Sequence, residues 1–519
     1  MKLERYVADV LLPANTAVSA MRRAGIPIDI DRLNAQCRWW DERVRDMERE
    51  VEGVAASKGT PIKYSDKHGV DPKRMADFLY RGLGLAPMKQ TKTGDSTDAE
   101  ALAHYASIEH PREGDDPTVF KILKIRSFAG AMAKADAYRT TRRADGACHP
   151  RYNWALRTSR LSAEDPPVHQ IPEHSDPDVA NAIKSFMVPR VSPAPDPKDW
   201  NPRKHGSVIR WDIDGAEAAV RAAMLTHRFC SKPDPAWEYL RLGKDIHAHT
   251  ASLIYGKPES DFRKGQIERD VVAKTTFFAQ QFGGGWSTVQ GNLWKKGRLW
   301  MPDDEVKAAV AAFDGGHPGL VELGEWDKEH AARTGYCEDG YGKRRHVGIP
   351  DGVKYLGRDR DGKVKWDCPR GLWGELEHAL RVAMNSPTQS MNATDCLWML
   401  ALAYHGEYVD LAVPPMWERK GIDFPEAADW QLHGGPGPGG KPFQAWHCNT
   451  VHDSAWLDCA PGYLEATVKL VTRRCRAVPF DWRLEADVPY RISVQVGPNF
   501  GMLRKWSAVA KEFGYEAVE

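Results

Sequence analysis

Apolar residues recur at helical spacing through most of the first 145 residues, which predicts a mostly helical N-terminal region. In FKILKIRSFAGAMAKADAYRTTRR at 120–143, Lys121, Lys124, Arg126, Lys134, Arg139, Arg142 and Arg143 surround the apolar positions. A solvated helix face is the simpler reading of that stretch, and a DNA-facing one the alternative. The Pro-rich run at 188–206 reads as a connector into SVIRWDID at 207–214, whose β-branched and aromatic residues predict a buried strand. Helical spacing returns over 245–285 and again over 371–404. Between 408 and 445 the pattern is lost, and HGGPGPGGKP at 433–442 excludes regular structure there. AWHCNTVHDSAWLDCAP at 445–461 then places two short apolar runs around a polar centre, as in a tight hairpin. No internal repeat is visible.

Composition narrows the class without naming it. The chain has 519 residues, 42% hydrophobic and 28% charged, with a net charge of +1. Those values suit a globular protein of about three domain-sized units. A balanced net charge conceals any basic face, so it neither supports nor excludes a nucleic-acid partner. The longest apolar run, Cys396 to Tyr404, is far short of the ~20 residues of a membrane span. The N-terminus lacks a signal-peptide core, so a cytoplasmic protein without a membrane partner is expected. The nine cysteines form no CxxC pair. Cys448 and His452 lack a second pair to complete a zinc site, and reduced thiols are expected.

Candidate chemistry rests on two aspartates beside predicted core strands. Asp212 closes an apolar run and Asp453 sits at the hairpin turn. A carboxylate there is costly to bury unless paired or bound to a cation. Helix capping by Asp212 and turn formation by Asp453 are the plain structural alternatives. Phosphoryl transfer, however, needs cations to spread the phosphate charge, and carboxylates from different strands can hold two of them about 4 Å apart. It also needs a cation for the triphosphate. In RDVVAKTTFFAQQFGGG at 269–285, Lys274, Phe278 and Phe282 fall at i, i+4 and i+8 on one helix face. A phosphate would meet the lysine and a base would stack on the rings. Gly283 to Gly285 end the helix and supply a hinge.

With these residues in place, the sequence resembles the family A DNA polymerases, the bacterial DNA polymerase I type. GIPIDIDRL at 25–33 and TKTGDSTD at 91–98 resemble the thumb region. RTSRLSAEDPPVHQIP at 157–172 resembles the entry to the palm, with Arg160 as its primer- and template-contacting arginine. DIDGAE at 212–217 is similar to motif A, where Asp212 would be a catalytic metal ligand and Glu217 would exclude a ribose 2′-hydroxyl. DIHAHTASLIYG at 245–256 implies that His247 touches the triphosphate. The 269–283 segment resembles motif B, with Lys274 on the phosphates and Phe278 and Phe282 near the sugar and templating base. GYGKRRH at 340–346 resembles the basic turn of the fingers. In RVAMNSPTQS at 381–390, Arg381, Asn385 and Gln389 would face the primer–template minor groove. VHDS at 451–454 resembles motif C, with Asp453 as second metal ligand and His452 beside the DNA, and GPNFG at 497–501 resembles the C-terminal ending.

The resemblance implies an α+β right hand with a helical thumb, an antiparallel-sheet palm and helical fingers. Its expected divisions are 1–150 thumb and N-terminal helices, 151–235 first palm part, 236–369 fingers and 370–519 second palm part. It further implies a monomer using two Mg²⁺ ions, with Mn²⁺ able to substitute, and primer–template DNA and dNTPs as partners. Four departures qualify it. Arg269 precedes Lys274 by five residues where the family has four, which on an ideal helix rotates the side chain by about 100°. It must reach around, precede the helix, or rely on a π-bulge. Ala219 stands where an arginine is usual, with Arg221 as a candidate substitute, and Ser454 replaces a glutamate. Phe278 in place of tyrosine implies discrimination against dideoxynucleotides. Only about 24 residues precede GIPID, so no exonuclease activity is expected in this chain. The region near 408–445 is longer than its counterpart and is read as a solvated loop, or as a contact for DNA or a replication accessory protein. A single-subunit RNA polymerase is the nearest competing reading, opposed by Glu217. A non-catalytic DNA-binding clamp is opposed by retention of Asp212, Asp453 and Lys274.

Overall fold

The computed structural model describes residues 7–92, 94–154, 160–171, 176–228, 234–405, 427, 429–451, 453–477 and 491–516. His452 and most of the 408–430 stretch therefore lie outside the described residues.

The N-terminal region is helical, as its spacing predicts. Helix α1 (Leu12–Ala24) leads into two long helices, α2 (Ile30–Ser57) and α3 (Pro117–Thr141). Asp29 caps α2 by accepting from the Arg32 N–H, and Asp116 caps α3 ahead of a proline in its first turn. These two helices pack along each other and bury Trp40, Val44, Val119 and Phe128. The basic stripe on α3 is largely paired within the chain. Lys121 pairs with Glu50, Lys124 with Asp176 and Arg139 with Asp136, while Arg126 donates to the Thr97 carbonyl. Lys121 and Arg139 keep the exposed pairing of a solvated face, with side chains 38% and 39% exposed, whereas Lys124 is drawn inside by the buried Asp176.

The central layer is a five-stranded sheet. Strand β1 (Ser207–Asp214) lies in its middle, between β3 (Ser454–Cys459) and β4 (Arg491–Gly497). Strand β2 (Ala445–Val451) flanks β3, the short β5 (Arg504–Lys505) flanks β4, and every pairing is antiparallel. Alternation along β1 assigns its faces. Ile209, Trp211 and Ile213 enter one core with Met21 of α1 and with Trp398 and Leu402 of the long helix described below. Val208 enters the second core, with Trp456 and Cys448, under α2 and α3. Arg210 and Asp212 share the Val208 face by the same alternation.

After β1, Gly215 takes φ +64°, a left-handed turn that L side chains rarely adopt, and helix α4 (Ala216–Arg228) begins at once. The stretch expected as continuous helix over 245–285 is interrupted. Helix α5 (Ile246–Tyr255) stops at Gly256, which is left-handed and followed two residues later by Pro258. A π-helical turn, Glu268–Ala273, then feeds α6 (Lys274–Gln281). Helices α7 (Trp286–Gly297), α8 (Asp303–Gly316) and α9 (Pro318–Thr334) complete this helical part.

The helix expected at 371–404 is α10 (Trp373–His405), and the apolar run from Cys396 is buried in the first core. Among the described residues no helix is long and apolar enough to cross a membrane. The segment 433–442 holds only a 3-10 turn, Pro438–Gly440, and an isolated bridge from Pro436 to Pro442. The predicted hairpin is β2–β3, with Asp453 at its turn. After β3 comes α11 (Leu464–Ala477), and α12 (Trp506–Phe513) follows β5.

Candidate active site

Sheet register brings the two predicted aspartates together. Asp212, near the end of β1, pairs across the ladder with Ser454, the residue after Asp453. The Ile213 N–H donates to the Asp453 carbonyl at 3.1 Å. Both side chains line one cleft of about 480 Å³, together with Glu217, His247, Arg269, Lys274 and Phe278. Asp212 remains 36% exposed, with the Arg210 guanidinium 3.9 Å away. Seven of the predicted residues thus meet in one place.

Both signs of charge line the cleft. Asp212 and Asp214 come from β1, Asp453 from the β2–β3 turn and Glu217 from the first turn of α4. Arg269 and Lys274, on the π turn and α6, supply positive charge together with Lys244 and Lys264, while Arg491 brings a cation from the sheet itself, paired across the ladder with Asp214. Lys244, Lys264 and Arg491 are cleft residues that periodicity alone does not single out. Arg491 could have been sought through Gly243, whose φ is +75° and whose missing Cβ is where the Arg491 guanidinium lies. A glycine at a close approach of this kind signals a neighbour, without naming it.

The five-residue offset of Arg269 is absorbed by the π turn. The Lys274 N–H donates to the Arg269 carbonyl, an i→i+5 bond that brings the two residues one above the other. The Arg269 guanidinium is then fixed by Asp245, with Nε and Nη2 each 2.9 Å from a carboxylate oxygen, and by Asp270. Asp245 also accepts from the backbone N–H groups of His247 and Ala248, capping α5. Burial pushes the Asp245 carboxyl up, but these hydrogen bonds and Arg269 outweigh it and leave it below the usual range.

His247 is nearly enclosed, against the Phe277 and Phe278 rings at 5.3 and 5.6 Å. Burial, with Lys274 and Arg269 nearby, depresses its imidazole to about 3, so it is neutral at pH 7. Glu217 is pushed up, chiefly by burial, although Arg160 pulls the other way. Arg160 itself reaches Glu217 at 3.0 Å, with both side chains about a quarter exposed (23% and 25%). That pairing joins two residues assigned to different tasks in the sequence.

Among the described residues, Phe282, Arg381, Asn385 and Gln389 do not line the cleft, and His452 lies outside the described residues. Phe282 stacks on Phe278 at 6.2 Å, just past the end of α6. Arg381, Asn385 and Gln389 follow one face of α10, and Arg381 approaches Gly283. Arg221 is no substitute for the arginine missing at 219. It is fully buried and pairs with Asp327 at 2.6 Å, because α4 turns that face into the core. Cys448 is buried and donates to the Trp456 carbonyl. Among the described residues no group of three or more His, Cys, Asp or Glu side chains is gathered for a metal.

Comparison with known proteins gives the same frame. The chain is 23% identical over 407 residues to DNA polymerase I of Mycobacterium leprae, covering 77% of this chain and 40% of that protein. It is 22% identical over 415 residues to DNA polymerase I of Mycobacterium tuberculosis, covering 80% and 41%. The chain therefore spans about two fifths of the length of these curated relatives. In three dimensions it matches the POL domain of Pol1 from M. smegmatis, solved in complex with DNA primer-template and dNTP. The TM-score is 0.69 at 19% identity, over 96% of this chain and 71% of that one. The fold is thus the α+β right hand, with an antiparallel-sheet palm and helical thumb and fingers. The model of DNA polymerase family A matches residues 40–502, and the chain belongs to that family.

Proposed function

We propose that this chain extends a DNA primer along a DNA template with dNTPs, by two-metal phosphoryl transfer centred on Asp212 and Asp453. The observation that carries this reading is the single cleft in which those aspartates face Arg269, Lys274 and His247. The donor set suits Mg²⁺: one carboxylate on a strand and one at the adjoining hairpin turn leave room for water and substrate phosphate, which this hard cation prefers to a closed protein cage. Mn²⁺ can substitute. Two such ions supply charge neutralisation on the phosphates and a more acidic primer 3′-hydroxyl.

The chain's own residues bind and select. Lys274 and Arg269 hold the triphosphate from the rigid π turn and α6. Neutral His247 adds a hydrogen bond there without adding charge. Glu217 blocks a 2′-hydroxyl, Phe278 packs against the incoming sugar and Phe282 lies beside the templating base. Arg160, Arg381, Asn385, Gln389 and His452 contact the primer–template, where minor-groove acceptors permit a sequence-neutral check. The corresponding divisions are thumb 1–150, palm 151–235 and 370–519, and fingers 236–369. Support for DNA and dNTP as partners comes from the M. smegmatis neighbour, whose structure holds both. We take the enzyme to be a cytoplasmic monomer, with 408–445 available to a replication accessory protein.

The test is extension of a labelled primer–template with Mg²⁺ and dNTPs by wild type, Asp212→Ala and Asp453→Ala. Extension by wild type, lost in both variants while DNA binding persists, is expected. Bound DNA that wild type extends with neither dNTPs nor NTPs would instead favour a non-catalytic clamp. In a parallel arm without nucleotides the primer should stay intact. Degradation that disappears on mutating this chain would refute the expected lack of exonuclease activity.

A further inference from the structure

Outside the cleft, the far end of the N-terminal helical part touches the far end of the helical part that carries Lys274. Residues 94–116 are the last part of the segment that joins α2 to α3 and include a short helix, Ala99–Leu102, while Trp294–Arg298 end α7. Arg112 donates to the carbonyls of Gly297 and Arg298 at 2.9 and 2.6 Å. Those carbonyls lie at a helix C-terminus, where backbone acceptors lack helical partners and cations are favoured. Arg298 returns the contact to Asp115, at 2.6 and 2.8 Å to its two oxygens, and to the His110 carbonyl at 3.3 Å. The Arg298–Asp115 pair is mostly shielded, the side chains being 7% and 12% exposed. His104 stacks on Trp294 at 4.9 Å, and Lys295 pairs with Glu100 at 3.1 Å.

Two features set this junction apart from ordinary packing. None of the apolar core clusters among the described residues spans it; α2 and α3 belong to one cluster and α7 to another. It is held by charge, hydrogen bonds and a single ring stack, the composition of contacts that open and close. Arg298 also sits at φ +49°, a left-handed conformation rare for a residue with a side chain. Such a conformation persists where its surroundings hold it, and here the Asp115 pair and the helix end do so.

Both arms are rooted at the sheet. Arg190 binds Asp458 of β3 and donates to the carbonyls of Ala24 and Gly25, tying the end of α1 to the sheet. The opposite arm is tied through α4, which leaves β1 directly. Joining the two tips therefore closes a loop of protein: sheet, α2 and α3, residues 94–116, α7, α6 and back to the sheet. We propose that this junction is a latch that closes the chain around bound DNA, giving the enzyme a topological hold on its template in addition to surface binding. This rests on the proposed DNA-binding function but not on its catalytic step. Opening the latch would admit DNA, and closing it would prevent lateral escape while still permitting sliding.

The test uses the full chain carrying Glu100→Cys and Lys295→Cys, joined by a short bismaleimide. That exposed ion pair contributes little by itself, so the remainder of the latch should form. Single-cysteine variants control for reaction at native thiols such as Cys37 and Cys368. The substrate is primed circular DNA. Protein linked after loading should stay on circles through a high-salt wash and be released when the circle is cut. Protein linked before mixing should fail to load on circles yet thread onto linear primed DNA. Equal loading of circles by pre-linked and unlinked protein would overturn the latch, and so would equal salt release of post-linked and unlinked complexes. A double variant that is retained on circles once linked, but whose unlinked form never extends the primer, would overturn the catalytic reading and leave the latch standing.

Discussion

Replacing Glu217 separates its two physical roles. Its carboxylate lies 3.0 Å from the Arg160 guanidinium, with both groups about a quarter exposed. At an effective dielectric of about 20, unit charges at that distance attract by roughly 5 kcal/mol before solvation is counted. Desolvation offsets most of this, as the upward push on the Glu217 carboxyl indicates. Glu217→Ala should therefore cost about 1–2 kcal/mol of stability, read as a lower urea midpoint with an unchanged slope. Arg160→Ala should cost a similar amount, and the double variant should fall short of their sum by about 1 kcal/mol. Sugar selection behaves differently if bulk is what excludes a ribose. Glu217→Ala should lower the kcat/KM preference for dNTP over NTP by about 100-fold, which is about 2.7 kcal/mol of discrimination. Glu217→Gln keeps the bulk and removes the charge, so it should lose most of the Arg160 coupling while keeping the sugar preference. The assay is single-nucleotide extension with matched dNTP and NTP. If Glu217→Gln relaxes selection as far as Glu217→Ala does, the charge and not the volume excludes ribonucleotides, and the steric assignment is wrong.

Two further perturbations address the phosphate side of the cleft. Asp245→Ala removes the cap of α5, worth about 1 kcal/mol, and also the bidentate partner of Arg269. The dNTP KM should rise about 10-fold, corresponding to about 1.4 kcal/mol, with little change in kcat; an unchanged KM would remove Asp245 as the residue that positions Arg269. His247 supplies a pH test, because its folded-state value of about 3 lies below the ordinary imidazole value of 6.5. Between those limits the unfolded chain binds the extra proton, so stability is full above pH 6.5 and declines as pH falls toward 3. At pH 5 the cost approaches about 2 kcal/mol, from roughly 1.4 kcal/mol for each of 1.5 pH units. His247→Phe should lose less stability than wild type between pH 7 and pH 5 in urea titrations, and equal losses would show that the imidazole is not held neutral.

What the sequence discloses about this site depends on the range of the interaction that fixes each residue. Asp212 is readable because β1 alternates: Ile209, Trp211 and Ile213 must enter one core, so Asp212 must fall on the other face. Asp453 is readable from the two apolar runs around a hairpin turn, and Phe278 from its four-residue step beyond Lys274. Arg269 marks the limit of that method. An ideal helix rotates it away from Lys274, whereas one i→i+5 turn and the side chain of Asp245, 24 residues earlier, bring it back. The same holds for Arg160, whose partner Glu217 is 57 residues away, and for Arg221, whose buried partner Asp327 is 106 residues away. In each case local spacing leaves the guanidinium several equivalent directions, and a distant carboxylate chooses among them. The basic residues of α3 were ambiguous for this reason, since Glu50 and Asp176 meet them only after the chain has packed. A long cationic side chain near a cleft is therefore weak evidence for a ligand until the acids able to capture it have been located. Lys274 meets that standard better than Arg269, because Asp245 and Asp270 already hold the arginine and must share it with a triphosphate.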